Sequence, residues 1–256
     1  MWHRLHPGQK ALIEVGVLFL PAIPAYLWMW PNVTGPAADI ANVVVYLYVL
    51  AGALFIGLRR WNWDQLGINR RGIWLSLAYG GVFILARLLI LLGVQWPGER
   101  PEFTFLQILG KIGFYIGLVG LAEEFLHRGL IYRALLDWRG ERWAIWGSSI
   151  AFVLWHVFGH GLLIGATMLF FGLIFALIRR HAGGIVGLIL VHGLIDLEAI
   201  FLVNVSNQEL TSSRFELSSP ALILAGLGLL IFLPFALWKL HPYLARRFHQ
   251  AAQGNS

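Results

Sequence analysis

Apolar residues in this chain run in long blocks, not in the three-and-four spacing of an amphipathic helix or the alternation of a half-buried strand. Crossing a hydrocarbon layer of about 30 Å takes a helix of about 20 such residues. The blocks predict eight spans, near 11–29, 39–58, 72–94, 104–124, 143–159, 161–178, 183–203 and 220–238. The expected fold is all-α, a polytopic integral membrane bundle of about eight transmembrane helices, forming a single domain over residues 1–256. The first block follows Arg4 and Lys10 as a signal peptide would, but it continues to Trp30 without a small-x-small cleavage site and is read as retained. The longest outer loop, 204–219, is too short to be a domain.

Composition agrees with lipid as the main solvent: 58% of residues are hydrophobic, 12% are charged, and the mean hydropathy is +0.71. The absence of cysteine removes disulfides, thiolate metal ligands and cysteine nucleophiles from consideration. A net charge of +6 could point to nucleic acid, but topology accounts for it. With a cytoplasmic N-terminus, the inner segments hold Arg4, Lys10, Arg59, Arg60, Arg70, Arg71, Arg128, Arg133, Arg139, Arg142, Arg179, Arg180, Lys239, Arg246 and Arg247. The outer segments hold Arg100 and Arg214, while Arg87 and Lys111 fall inside spans. Both termini therefore read as cytoplasmic, the lipid bilayer is the expected partner, and no nucleic acid is needed. Tryptophans near span ends, such as Trp61, Trp63, Trp96 and Trp143, suit the headgroup level. Gly113 with Gly117, and Gly183 with Gly187, have the spacing that lets membrane helices approach closely.

Ionisable groups inside the spans carry the chemistry, because each costs about 2.5 to 3.5 kcal/mol at mid-bilayer and needs a partner or water. The fourth span carries Glu123 and Glu124 followed by His127 and Arg128. Four-residue spacing lets Glu124 pair with Arg128, while Glu123, rotated by about 100°, faces elsewhere. An interfacial charge cluster would look the same. The fifth span holds Phe152 and His156, with His160 a turn further on, and the seventh holds His192 and Asp196 one turn apart. Helix–helix hydrogen bonding or a plain buried pair would satisfy either motif alone. Glu198 is another candidate internal partner.

Depth brings these groups together. At 1.5 Å per residue His156 lies about 20 Å from the cytoplasmic end of its span, His192 about 15 Å and Asp196 about 21 Å. Glu123 reaches about 21 Å if its helix continues to Asp137, which predicts one helix over about 103–136.

These motifs, Glu-Glu-x-x-x-Arg at Glu123, Glu124 and Arg128, Phe-x-x-x-His at Phe152 and His156, and His-x-x-x-Asp at His192 and Asp196, resemble those of the CAAX protease and bacteriocin-processing family. That family of intramembrane endopeptidases includes the type II CAAX prenyl proteases, and the resemblance covers residues 123–196. It implies an eight-helix core and hydrolysis of a membrane-associated peptide or protein substrate, prenylated in the CAAX branch. It implies Glu123 as the activator of water, His156 as its positioner or polariser, and His192 with Asp196 as holders of the oxyanion or of the water. Glu124, Arg128 and Phe152 would support them. Prenyl proteases usually carry Asn where this chain has Asp196. An ionised aspartate cannot donate to an oxyanion, so Asp196 would orient His192, act protonated or serve a metal.

The family was first regarded as metal-dependent, and Glu123, His156 and His192 are the candidate ligands of a divalent metal such as zinc. The favoured expectation is glutamate-activated water with no obligatory cofactor. Two other functions use the same residues: a proton-coupled transporter, for which Arg87 and Lys111 would also serve, and a non-catalytic bacteriocin-immunity protein. The location is a cell membrane or the endoplasmic reticulum, according to source.

Overall fold

The computed structural model describes residues 2–33, 35–95, 102–202, 216–217 and 219–242. It is a helical bundle, built from α1 (Pro7–Asn32), α2 (Pro36–Leu58), α3 (Ile73–Gly93), α4 (Phe105–Arg139), α5 (Glu141–Ala182), α6 (Val186–Leu202) and α7 (Pro220–Phe235). One short antiparallel contact pairs β1 (Val94–Gln95) with β2 (Glu216–Leu217). The fold is all-α as expected. Loop 204–219, Trp96, Arg100, Arg214, Arg246 and Arg247 lie largely or wholly outside the described residues, and nothing is described of the His160 side chain.

Helix ends follow local chemistry. Thr104 caps α4 through a reciprocal capping box with Gln107. Pro36 opens α2, where its missing N–H costs nothing. Gly183 ends α5 in the left-handed conformation, with its N–H on the Arg179 carbonyl at 3.1 Å. Outward-facing side chains are large and apolar: Trp74 is 83% exposed, Leu106 77% and Ile231 73%. An outer surface of this kind suits lipid, not water.

Six helices among the described residues are long and apolar enough to cross a membrane, and the chain is an integral membrane protein. The expected number was eight. The 17-residue α6 and the first part of α5 fall outside the six. α5 itself joins the predicted spans 143–159 and 161–178 into one helical run that folds back on itself. Glu141 and Arg180 form an ion pair at 2.8 Å, although a straight helix would put them about 58 Å apart. A Cβ on Gly172 would lie 3.0 Å from Ser149, and one on Gly165 would meet Val157. The two arms of α5 are therefore antiparallel, and the reversal lies between Val157 and Gly165.

α4 is the central rod. From Val119 to Leu135 nearly every side chain is buried, which requires neighbours on all sides. The helix is unbroken over 105–139, longer at its C-terminal end than predicted, and it includes wider π-helical turns at Gly113–Gly120 and Phe125–Ile131. Glu123 and Glu124 sit between these two stretches.

One end of the bundle collects the charged pairs: Glu14 with Arg59 and Arg60, Asp64 with Arg71, Asp137 with Arg133, and Glu141 with Arg180. The Trp61 indole N–H joins them, donating to Asp137 at 2.8 Å. Arg179 turns inward and donates to the carbonyls of Arg128 and Gln65.

Candidate active site

Two close helix contacts set the site. A Cβ on Gly120 of α4 would lie 2.8 Å from the Ile189 carbonyl oxygen, and one on Gly193 of α6 would lie 2.5 Å from the Ile116 Cα. Backbone thus meets backbone where α4 crosses α6, one turn from Glu124 and beside His192. The spacing pairs read from the sequence do not all act this way. Nothing lies within 4 Å of a Cβ on Gly113, Gly117 or Gly183, and of the four only Gly187 abuts a neighbour, Ser76 and Ile73 of α3.

All seven motif residues converge. Glu124 accepts from Arg128 Nη1 at 2.9 Å and from His192 Nδ1 at 2.7 Å, all on one carboxylate oxygen. Arg128 is fully buried, spends Nη2 on the Gly172 carbonyl at 3.3 Å, and lies 4.4 Å from the Phe152 ring centre and 5.2 Å from that of Phe175. Phe152 also packs against His127, His156 and His192. The Phe-x-x-x-His motif thus supplies a ring that holds both cation and imidazoles in place.

Glu123 is 3% exposed, and its two oxygens differ. Oε1 accepts from the Tyr46 hydroxyl at 2.8 Å and the Trp155 indole N–H at 3.0 Å. Oε2 is buried without a hydrogen-bond partner, 3.8 Å from His156 Nε2 and 3.7 Å from His192 Nε2. These separations are too long for direct hydrogen bonds and suit a small bridging molecule. His156 Nδ1 faces the Phe152 carbonyl at 2.9 Å; a carbonyl only accepts, so that nitrogen carries the proton. Carboxylate acceptance by Glu124 fixes His192 in the same sense. Both rings therefore turn Nε2 toward Glu123.

Asp196 Oδ2 is 3.7 Å from His192 Nε2, and its side chain keeps 29% exposure. The group orienting His192 through Nδ1 is Glu124, and Asp196 faces the opposite nitrogen. His127 uses Nδ1 on the Glu123 carbonyl, one turn back in α4. Arg87 pairs with Glu198 at 3.0 Å, and Lys111 lies over Phe103, so each intramembrane cation has a local companion. Tyr46 and Trp155 were missed at the sequence level. Their signal was a polar-tipped aromatic deep within a span, where the headgroup level offers no explanation for it.

A cavity of about 280 Å³ opens beside the two histidines. Its wall is largely apolar, with Phe152, Phe171, Phe175 and Ile195, and Asp196 and Arg87 add charge. Among the described residues no group of three or more His, Asp or Glu is placed to hold a metal ion. The donors around Glu123 Oε2, two imidazole nitrogens and a carboxylate oxygen, are of the type zinc takes.

Residues 105–197 match the model of the type II CAAX prenyl endopeptidase Rce1-like family. This segment, about a third of the chain, is similar to that family. The match starts at the first residue of α4 and ends just past Asp196, so the matched segment contains every motif residue. α1, α2, α3 and α7 lie outside it. No curated protein and no solved structure matches the chain.

Proposed function

We propose that the chain is an intramembrane endopeptidase that hydrolyses a peptide bond of a membrane-associated substrate, prenylated or otherwise CAAX-like, with Glu123 as general base. The supporting observation is the open Oε2 of Glu123, buried and facing the Nε2 atoms of His156 and His192. A water between them is held by Glu123 and His156 and loses its proton to Glu123 as its oxygen attacks the peptide carbonyl. The tetrahedral oxyanion accepts from His192 Nε2–H in the imidazolium form, with Glu124 on Nδ1 and Asp196 beside Nε2 as its carboxylate neighbours. Collapse breaks the C–N bond, and Glu123 returns the proton to the departing amine. Arg128 anchors Glu124 throughout, and Tyr46 and Trp155 hold Oε1 so that Oε2 keeps its aim. No step runs through a metal. The basic end faces the cytoplasm in this reading, which places both termini there.

Comparing the peptide termini of membrane proteins in cells carrying the intact chain, the Glu123→Gln form or neither tests the reading. New termini only with the intact chain support it. Identical termini in all three overturn it. For the purified protein, cleavage that survives chelation is expected; loss restored by zinc would make Glu123, His156 and His192 ligands instead.

A further inference from the structure

A second cavity, about 440 Å³, lies between α2 and the N-terminal half of α4, toward the end of the bundle opposite the charged pairs. Its lining is more polar than that of the first, with Asp39 and Asn42 from α2 and Gln107, Lys111 and Tyr115 from α4, beside Val43, Phe103 and Phe114. Asp39 and Gln107 are exposed and stand in the first turns of their helices, so the mouth lies at the outer boundary of the bundle. Asp39, Asn42, Val43 and Tyr46 follow one face of α2 inward. Tyr46 sits edge-on to Phe114 with ring centres 6.1 Å apart, and its hydroxyl donates to Glu123. The stripe thus ends at Oε1 of Glu123, on the carboxylate whose other oxygen hydrolysis requires.

From this juxtaposition we infer that the second cavity is the water entrance of the enzyme, supplying Glu123 from the far face of the membrane. The inference rests on the proposed hydrolase reading. Each turnover consumes one water, its hydroxyl going to the acyl carbon and its remaining proton to the amine. A substrate seated in the apolar cavity beside His156 and His192 covers that approach. Water then needs another route, and a roomy cavity with polar groups in its wall holds water. Gly110 lines this cavity, and a Cβ there meets nothing within 4 Å, so a larger side chain can be placed at this position.

The chain has no cysteine, so single-cysteine variants in membranes can be read with a charged, membrane-impermeant thiol reagent. Asn42→Cys and Val43→Cys line the cavity, whereas Val44, 58% exposed on the outer surface, serves as the lipid-facing control. Asn42→Cys should react about tenfold or more faster than Val44→Cys, as water contact favours the reactive thiolate. Equal reactivity overturns the inference. Gly110→Phe puts a ring into the cavity without displacing backbone. It should slow labelling of Asn42→Cys and lower kcat about tenfold with KM unchanged, since substrate binds elsewhere. An unchanged kcat with the cavity so occupied also overturns the inference. Labelling needs no proteolysis, so it is scored even where the intact chain cleaves nothing and the hydrolase reading itself has failed.

Discussion

At the residue scale, the two oxygens of Glu123 have separate duties. Tyr46 and Trp155 hold Oε1, and removing either donor loses a hydrogen bond to a charged group, about 1.5 to 3 kcal/mol. Tyr46→Phe and Trp155→Phe should each lower kcat about tenfold or more, with KM little changed, in steady-state cleavage of an identified substrate. A rise in KM alone would give these residues a binding role. Arg128 is different because it neutralises a buried carboxylate. Arg128→Met leaves His192 as the remaining partner of the buried Glu124 and should destabilise the fold by about 3 kcal/mol, read by thermal unfolding in detergent. Adding Glu124→Gln to Arg128→Met should recover part of that loss, because the two residues act as one unit. The Glu124–Arg128 pair was legible from its four-residue spacing. Tyr46 and Trp155 were not, since one aromatic in an apolar run has the same appearance whether it packs or donates.

At the element scale, position depends on how closely helices approach. Gly120 and Gly193 put α4 and α6 in backbone contact, and Gly117 has open space beside it. Gly120→Ala and Gly193→Ala should each cost about 1 to 3 kcal/mol and lower activity by moving His192 away from Glu124. Gly117→Ala should leave both nearly unchanged. Equal effects at all three positions would detach the site from this crossing. Spacing alone picked Gly113 and Gly117 because it reports which glycines share a face and not what that face meets. The length of α4 was legible from the depth argument, since Glu123 could reach the histidines only on a helix running past Arg128. The folding-back of α5 was legible as two apolar blocks, but the persistence of helix through the turn was not. A run of glycines at Gly159, Gly161 and Gly165 reads equally well as a loop or as a bend.

On the scale of the whole molecule, the bundle separates three surroundings: a lipid-facing apolar exterior, one end rich in ion pairs, and a buried polar centre, with one cavity beside its histidines and another between α2 and α4. The exterior and the charged end follow from block hydrophobicity and from the clustering of Arg and Lys, which bilayer solvation enforces along the whole chain. The cavities do not, because empty space is a property of how helices tilt and bend. With the charged end cytoplasmic, a reporter fused at either terminus should be accessible only from that side in sealed cells, and exposure on the far side would invert the account.

The most direct measurement is the cleavage rate of a native substrate by purified Glu123→Gln protein that unfolds at the same temperature as the original. Loss of general-base catalysis predicts a fall of about 10² to 10⁴-fold. A rate equal to that of the intact chain would contradict the assignment of Glu123 and the water it faces.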